Sequence, residues 1–315
     1  MAASNQAAAT FRTAPLKTSR LRTRDTIDGY LFILPWVLGF IFFTAFPMVF
    51  SFVLTFMDWD ILTSPNWAGL GNYKRLIDDN LVGVSLYNTA YYTLFSVPLR
   101  LIVAIAGALL LNTAVRGLSF FRTAFYLPTV LPAVASAILW MWMFNPSMGL
   151  FNMGLQAIGL PRSDWLWSPD TSKPSLILMT LWTTGNVIII FLAGLQAIPT
   201  HLYEAATMDG ASGLAQFRHV TLPMLSPSIL FNLIMGIIGS FQVFTSAFLM
   251  TGPPAGGPLN STLFTVLYVY RAAFEQFRMG YGSAVAWVLF VVILAFTFFQ
   301  WKLSDSWVYY EGGER

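Results

Sequence analysis

The residues whose types and spacing are most distinctive lie in one polar segment between two long apolar stretches, residues 197–225. From its second residue the sequence reads IPTHLYEAATMDGASGLAQFRHVTLPMLSPS. Ala205 and Ala206 leave one face of a predicted helix nearly smooth, so another backbone could approach closely, while Glu204 and Asp209 offer negative charge to a partner. These features favour docking to another protein. An amphipathic helix resting on the bilayer surface is the alternative that composition leaves open.

Helix signals divide this segment into two short helices. Pro199 and Thr200 predict a helix start, and Gly210 predicts its stop. Ser212 predicts a second N-cap, and Pro223 predicts a second stop. The segment is therefore expected to form a bent pair of helices with a glycine corner.

The composition of the chain requires that these elements be carried by a membrane protein. Hydrophobic residues make up 56% of the 315 residues and charged residues only 10%, against roughly 25% charged in an ordinary soluble domain. A helix needs about 20 mostly apolar residues to cross the hydrocarbon. We predict an all-α membrane protein with about six transmembrane helices, at residues 30–56, 86–112, 123–144, 174–196, 226–250 and 281–301.

Charge distribution predicts the orientation of these spans. Residues 1–29 are polar, and the apolar run after them is too long for the core of a signal peptide, so we predict an uncleaved cytoplasmic tail. Ten Lys and Arg residues then lie on the side of this tail and six on the other side. Because cytoplasmic loops carry the excess of Lys and Arg, both termini, including the tail at residues 304–315, are expected inside the cell. The transmembrane domain between the tails is predicted at residues 30–303.

The spacing within the 197–225 segment resembles the EAA loop of permeases in binding-protein-dependent ABC importers, in which a coupling helix contacts the ATPase. The residues that carry the resemblance are Glu204, Ala205, Ala206, Gly210, Val220, Leu222 and Pro223. Val220 is the one departure, since the family more often has isoleucine there. The resemblance implies a type I importer permease fold with an EAA coupling loop at 197–225. It also implies the ATPase-coupling residues Glu204, Ala205, Ala206, Asp209, Gly210, Ala211, Phe217, Leu222 and Pro223.

Other segments extend the resemblance to the carbohydrate-uptake subgroup, which includes permeases of maltose, lactose and glycerol-3-phosphate type. The likeness covers nearly everything from residue 25 to residue 303, and it is specific for the family rather than for the solute. The matching segments are GLGNYKRL (69–76), NTAYYT (88–93), FRTAFYLP (121–128), GLQAIP (194–199) and MGYGSAVAWVLF (279–290).

The resemblance implies a machine of several subunits in the bacterial cytoplasmic (inner) membrane. This chain would pair with a second similar permease, two ATP-binding subunits and an extracytoplasmic solute-binding protein. The sequence has no GxxxxGK[ST] motif, so ATP and Mg²⁺ are expected on the partner subunits and this chain is expected to be neither an enzyme nor the holder of a cofactor. The solute could be a disaccharide, an oligosaccharide, a polyol or glycerol phosphate.

A solute path requires polar or aromatic side chains that face away from lipid. In the sugar permeases that this chain resembles, spans four and five make most of the solute contacts. We therefore predict that the path is lined by Trp182, Thr183, Asn186, Ser240, Phe241 and Gln242, with Arg100 as a further candidate. Polar pairing between helices is the alternative for each of these residues.

Arg100 is the only charged residue in the six predicted spans. An unpaired charge there costs at least about 2.5–3.5 kcal/mol on insertion scales, so Arg100 needs a partner, a wet cavity or a route to the interface. Two interpretations stay open. Arg100 binds an anionic group of a phosphorylated or acidic solute, or it pairs with a carbonyl or with the sister permease.

Several other functions are less consistent with the sequence. An ion-coupled secondary transporter, the main alternative, generally needs intramembrane carboxylates, and the predicted spans contain none. A channel lacks a repeated filter segment, and a membrane enzyme lacks HExxH, GxSxG and paired intramembrane carboxylates. The chain has no cysteine, and His201 and His219 are explained by surface polarity rather than by a metal site. No basic run with interleaved aromatics predicts nucleic-acid binding.

Overall fold

The computed structural model describes residues 18–113, 117–252 and 256–309. Two of the predicted regions extend beyond this part of the chain: residues 1–17 of the N-terminal tail and residues 310–315 of the C-terminal tail lie outside it. Contacts between residues divide the chain into a first unit, Met1–Val53, and a second unit, Leu54–Arg315.

The described part of the first unit is one long helix. Helix α1 (Thr18–Phe40) continues through a π-helical turn (Ile41–Ala45) into α2 (Phe46–Leu54). The helix begins well before the predicted span at 30–56, so part of the predicted tail is helical. Its apolar stretch, Asp25–Leu54, is long enough to cross a membrane.

The second unit is almost entirely helical in the part that the structure describes. A two-residue antiparallel pair, β1 (Met57–Asp58) and β2 (Asn66–Trp67), precedes the helices. Four short turns among the described residues of this unit are 3₁₀ or π-helical, at Trp165–Trp167, Phe217–Thr221, Pro258–Asn260 and Arg271–Glu275. The helices are α3 (Gly71–Asp78), α4 (Asn80–Leu111), α5 (Leu118–Val130), α6 (Ala133–Met143), α7 (Leu150–Ala157), α8 (Pro169–Trp182), α9 (Gly185–Gln196), α10 (Thr200–Met208), α11 (Gly213–Gln216), α12 (Leu222–Phe241), α13 (Thr245–Met250), α14 (Thr265–Tyr270) and α15 (Met279–Ser304).

Four to six membrane crossings are consistent with these helices. Four continuous helical stretches are long and apolar enough to span a membrane: Asp25–Leu54, Asn80–Leu111, Gly213–Phe241 and Met279–Ser304. Two more crossings follow if each of two bent pairs is one span, α5 with α6 at 101° and α8 with α9 at 50°. The predicted spans at 123–144 and 174–196 are therefore broken helices rather than continuous ones.

The break between α5 and α6 has a local cause, whereas the break between α8 and α9 involves a distant helix. Leu131 precedes a proline and is extended, with φ −68° and ψ 136°, because the ring of Pro132 disfavours the helical conformation in the preceding residue. The break between α8 and α9 has no proline. Thr183 and Thr184 separate these helices, and Gly185 opens α9 where the backbone of α5 passes very close.

The predicted span at 226–250 also differs from the structure. Helix α12 ends at Phe241, and a short α13 follows after the non-helical residues 242–244. At the other end the helix is continuous back to Gly213 through a π-helical turn, Phe217–Thr221. The helical stretch is thus displaced toward the N-terminus relative to the prediction.

Helix α4 lies at the centre of the second unit and packs against α8, α9, α12 and α14. It begins at Asn80, earlier than the predicted residue 86, because the carboxylate of Asp79 caps it by accepting the N–H of Leu81 at 2.9 Å. Two apolar clusters surround α4. One includes Phe144, Leu176, Phe264 and Leu267, and the other includes Ala104, Ala108, Ile188, Phe191 and Leu225.

The Asp79 carboxylate also fixes the N-terminal end of α4 to two other helices. It accepts hydrogen bonds from the hydroxyls of Tyr268 in α14 and Tyr281 in α15. Burial acts to raise the pKa of Asp79, but these hydrogen bonds, the Leu81 N–H and the charge of Arg278 outweigh it, so the pKa lies below its usual value. The carboxylate is therefore charged at neutral pH and holds α4, the helix that carries Arg100, in place.

Candidate functional site

The 197–225 segment contains the first of the two predicted helices as the sequence indicates. Helix α10 starts directly after Pro199 and ends before Gly210, whose φ is +76°. The N–H of Gly210 donates to the carbonyl of Thr207 at 3.0 Å, and the N–H of Ala211 donates to the carbonyl of Ala206 at 2.9 Å. This pair of bonds is a Schellman closure, which favours glycine at the left-handed position. The predicted start and stop are confirmed.

The second helix begins as predicted but does not end as predicted. Ser212 is the N-cap, and its hydroxyl accepts the N–H of Ala215 at 3.4 Å. The helix then runs through the π-helical turn, where Leu222 N–H bonds the carbonyl five residues earlier. This wider turn shifts the hydrogen-bonding pattern of the backbone, so that Pro223 falls in the first turn of α12. Proline is tolerated there because it has no N–H to donate. The prediction that Pro223 stops the helix is wrong.

Side-chain hydrogen bonds join the two helices of the segment. The hydroxyl oxygens of Tyr203 and Thr221 are 3.0 Å apart. The amide nitrogen of Gln216 donates to Thr207 Oγ1 at 3.0 Å and to the carbonyl of Ala211 at 3.3 Å. Three connections across one corner make the pair a single body rather than two independent helices.

The predicted coupling residues occupy two levels of this body. Glu204, Ala205, Asp209 and Gly210 are exposed around the glycine corner, which we call the tip. Ala206 and Ala211 are half-buried behind the tip. The remaining three lie at the root, in the π-helical turn and at the start of α12: Phe217, Leu222 and Pro223.

Two residues at the tip were not identified from the sequence. Met208 is 88% exposed and Leu214 is 78% exposed, one on each side of Gly210. Large apolar side chains that project from both sides of a polar corner are typical of a contact surface. The signal in the sequence was the position of Met208 and Leu214 on either side of Gly210. Neither residue belongs to the EAA pattern, so neither was selected.

A cavity of about 390 Å³ lies where the three helix breaks meet. Its lining includes Leu131 from the break between α5 and α6, Thr183 from the break between α8 and α9, and Val243 from the break between α12 and α13. Non-helical backbone at membrane depth is tolerated where it is buried in protein or lines a cavity. In transporters, such discontinuous helices form the solute site near the midplane.

The structure brings some of the predicted path residues together at this cavity and places others elsewhere. Arg100, Thr183 and Asn186 line it, with further polar side chains that were not selected for the path from the sequence: Thr129, Ser136, Thr180, Thr245 and Ser246. Isolated hydroxyl residues are common in membrane helices, so they carried little signal.

The other four predicted path residues do not line this cavity. The ring of Trp182 packs against that of Trp140, with centroids 5.9 Å apart, and Phe241 packs against Phe296 at 5.4 Å. The hydroxyl of Ser240 donates to Thr93 Oγ1 at 2.9 Å, and Gln242 is exposed at the end of α12. Ser240 instead lines a neighbouring cavity of about 120 Å³, which Arg100 also reaches.

Arg100 pairs with a backbone carbonyl. Its Nη2 donates to the carbonyl of Thr183 at 3.1 Å, at the point where α8 ends. This contact uses one N–H of the five that a guanidinium carries. The Nε atom is buried and has no hydrogen-bond partner among the described residues. The carbonyl contact therefore places the guanidinium at the wall of the cavity without satisfying it.

Comparison with known proteins gives one consistent result. The family model for "Binding-protein-dependent transport system inner membrane component" matches residues 101–306. The probable ABC transporter permease protein YesP of Bacillus subtilis (strain 168) is 41% identical over 302 residues, which cover 95% of this chain and 97% of YesP. The trehalose/maltose transport system permease protein MalF of Thermococcus litoralis is 33% identical over 292 residues, covering 91% and 97% of the two chains.

A solved structure gives the same result for the fold. A crystal structure of a bacterial ABC transporter involved in the import of the acidic polysaccharide alginate contains a chain that matches with a TM-score of 0.79 and 26% identity, covering 91% of this chain and 98% of that one. The predicted permease fold is thereby confirmed, and the ion-coupled alternative gains no support. The family match and the relatives that align over nearly their whole length lead to one conclusion: this chain belongs to the inner-membrane permease components of binding-protein-dependent transport systems.

Proposed function

We propose that this chain is the permease subunit through which an ATP-driven importer passes a saccharide across the bacterial inner membrane. Its partners are a second permease, two ATPase subunits that hold ATP and Mg²⁺, and a solute-binding protein on the outer side. Both termini lie in the cytoplasm. The saccharide class is supported by the relatives, since MalF is named for trehalose and maltose and the solved transporter imports alginate.

The observation that carries this proposal is the braced helix pair with its apolar tip. Met208 and Leu214 are largely exposed, and burying an apolar side chain of this size stabilises a contact by about 1.5–3 kcal/mol. Around them, Glu204 and Asp209 are exposed and can select a basic partner surface. We assign the tip as the docking site for an ATPase subunit.

A continuous helix connects this docking site to the cavity. The helical stretch Gly213–Phe241 has 29 residues, so it is about 43 Å long at 1.5 Å per residue. It begins at the tip, and the break that follows it supplies Val243 and Phe244 to the cavity lining. Movement of the tip when the ATPase subunits close would therefore shift one wall of the cavity as a rigid body, which is how two packed states can alternate.

Co-purification with the ATPase subunits tests the proposal. Met208→Glu is expected to weaken retention of the ATPase by about tenfold or more, because a buried apolar contact is replaced by a charge. Glu204→Lys is expected to weaken it as well, since it reverses a charge at the same surface.

The matched control is Leu62→Glu. Leu62 is 80% exposed and lies in the loop between β1 and β2, remote in sequence from the 197–225 segment. This variant should retain the ATPase like the wild type. Normal retention in both tip variants, with the chain present in the membrane at wild-type amounts, would refute the docking role.

A further inference from the structure

The cavity at the three helix breaks has an unusual balance of charge. Arg100 is the one charged side chain among the described residues that line it, and no carboxylate accompanies it. One N–H bonds the carbonyl of Thr183, while the buried Nε lacks a hydrogen-bond partner in the described part of the chain. Because the Nε atom is buried, it does not itself face a ligand, but the guanidinium carries further N–H donors beyond the one that Thr183 uses. A group that supplied acceptor oxygens in the cavity would therefore be favoured.

The backbone around the cavity adds to the same polarity. Helices α6 and α9 have 11 and 12 residues, and both begin at the cavity, which Ala133 and Asn186 line from their first turns. First-turn N–H groups have no acceptor within their own helix, and the helix dipole places partial positive charge there. Two helix starts and one guanidinium therefore surround the same space.

The rest of the lining suits a sugar. Thr180, Thr183 and Asn186 present hydroxyl and amide groups of the kind that bind sugar hydroxyls, and the half-buried ring of Phe244 offers an apolar face. The volume of about 390 Å³ lies within the range of small-molecule sites. The cavity thus combines an anion-binding wall with a surface suited to a polyhydroxylated ring.

We infer that this cavity binds the carboxylate of an acidic saccharide, with Arg100 as the residue that recognises the charge. The inference rests on the proposed function, because it assigns the cavity to the transport path. A carboxylate is proposed over a phosphate because the solved transporter with the same fold imports the acidic polysaccharide alginate, whose acidic groups are carboxylates. A phosphate monoester, which carries about −1.5 to −2 at neutral pH, is tested as a separate probe. The hydrogen bond from Arg100 to the carbonyl of Thr183 then holds the guanidinium at the cavity wall, and its positive charge stays available for the carboxylate.

Equilibrium binding to the importer in lipid nanodiscs tests the inference. The probes are radiolabelled disaccharides of galacturonate, glucuronate and mannuronate, each paired with the neutral disaccharide that has the same rings and linkage, and galactose 6-phosphate as a phosphate probe. The wild type is expected to bind at least one acidic disaccharide about tenfold or more tightly than its neutral counterpart. Galactose 6-phosphate should bind more weakly than that disaccharide.

Arg100→Gln should lower the affinity for the acidic disaccharide about tenfold or more beyond any change in the affinity for the neutral one, while Arg100→Lys should keep part of the preference because the charge remains. The matched control is Arg122→Gln. Arg122 also donates from Nη2 to a backbone carbonyl, that of Leu111 at 3.5 Å, but it lines a separate, mainly apolar cavity of about 270 Å³. This control should keep the full preference for the acidic disaccharide.

Several results would overturn the inference: equal binding of every acidic and neutral pair, an equal loss for both members in Arg100→Gln, or tighter binding of the phosphate probe. The same samples report on the proposed function separately. If the ATPase subunits stay bound to the wild type while no acidic preference is found, the importer assignment stands and only the substrate class fails. If acidic binding depends on Arg100 but no ATPase is retained, the binding of an acidic saccharide stands and the importer assignment fails.

Discussion

Replacing Gly210 by valine is expected to lower ATP-driven uptake by about tenfold while the chain still reaches the membrane. Gly210 has φ +76°, and a left-handed conformation costs an ordinary residue about 1–2 kcal/mol, more for a β-branched one. The substitution therefore disfavours the Schellman corner that orients Met208 and Leu214 for docking. An energy of 1.4 kcal/mol corresponds to a factor of ten. Uptake into proteoliposomes that contain the whole importer measures the effect.

Gly210→Asn is the control for this prediction. Asparagine tolerates the left-handed conformation, and a Cβ at this position meets nothing within 4 Å in the chain itself. We expect this variant to retain most of the uptake. Equal uptake by the valine variant and the wild type would show that the corner does not need its observed conformation.

Replacing Gly185 by leucine is expected to prevent α5 and α9 from packing and to destabilise the fold. Even the Cβ of a larger residue would overlap the backbone carbonyl oxygen of Phe125 and lie 2.9 Å from Cα of Tyr126. Backbone atoms cannot rotate away, so the helices must separate. Overpacking of this kind costs about 1–3 kcal/mol or more, which lowers the midpoint of thermal unfolding by several degrees. Uptake should fall as well, because α9 begins at the cavity.

Gly154→Ala provides the comparison for Gly185→Leu. Gly154 lies inside α7, and a Cβ there has no neighbour within 4 Å. Alanine favours a helix interior over glycine by about 0.5–1 kcal/mol, so this variant should unfold at the wild-type temperature or slightly above it. An unchanged melting temperature for Gly185→Leu would mean that α5 and α9 do not pack as observed.

The approximate positions of four continuous spanning helices could be predicted from the sequence, because long apolar stretches are a local property of the sequence. The breaks could not be predicted equally well. Two prolines lie in the predicted span at 123–144, yet Pro128 is accommodated inside α5 and only Pro132 ends it. Which proline interrupts a helix depends on whether neighbouring structure satisfies the freed backbone groups, and a sequence pattern does not contain that information.

The break between α8 and α9 depends on contacts between distant residues. The carbonyl of Thr183 is held by Arg100, 83 residues away in the sequence, and Gly185 allows the backbone of α5 to come close. Neither contact has a local signature. As a result the sequence assigned Arg100, Thr183 and Asn186 to one solute path but could not separate them from the four other predicted path residues, which do not line the cavity.

The 197–225 segment was predicted more fully, since helix caps are local. Pro199, Gly210 and Ser212 act through their own and adjacent backbone groups, and each has the predicted role. Pro223 does not, because the π-helical turn before it changes the hydrogen-bonding register. The exposure of Met208 and Leu214 follows from the angle between two helices, which the hydrogen bonds of Gln216 fix.

Cross-linking from the tip tests the central claim, that this segment docks an ATPase subunit. The chain has no cysteine, so Met208→Cys introduces its only thiol, and Leu62→Cys provides the matched control on a different loop. With a thiol-reactive photocross-linker in the membrane-embedded importer during ATP turnover, Met208→Cys is expected to form an adduct with the ATPase subunit and Leu62→Cys is expected to form none. Adducts of Met208→Cys with lipid alone, or equal ATPase adducts from both positions, would contradict the account.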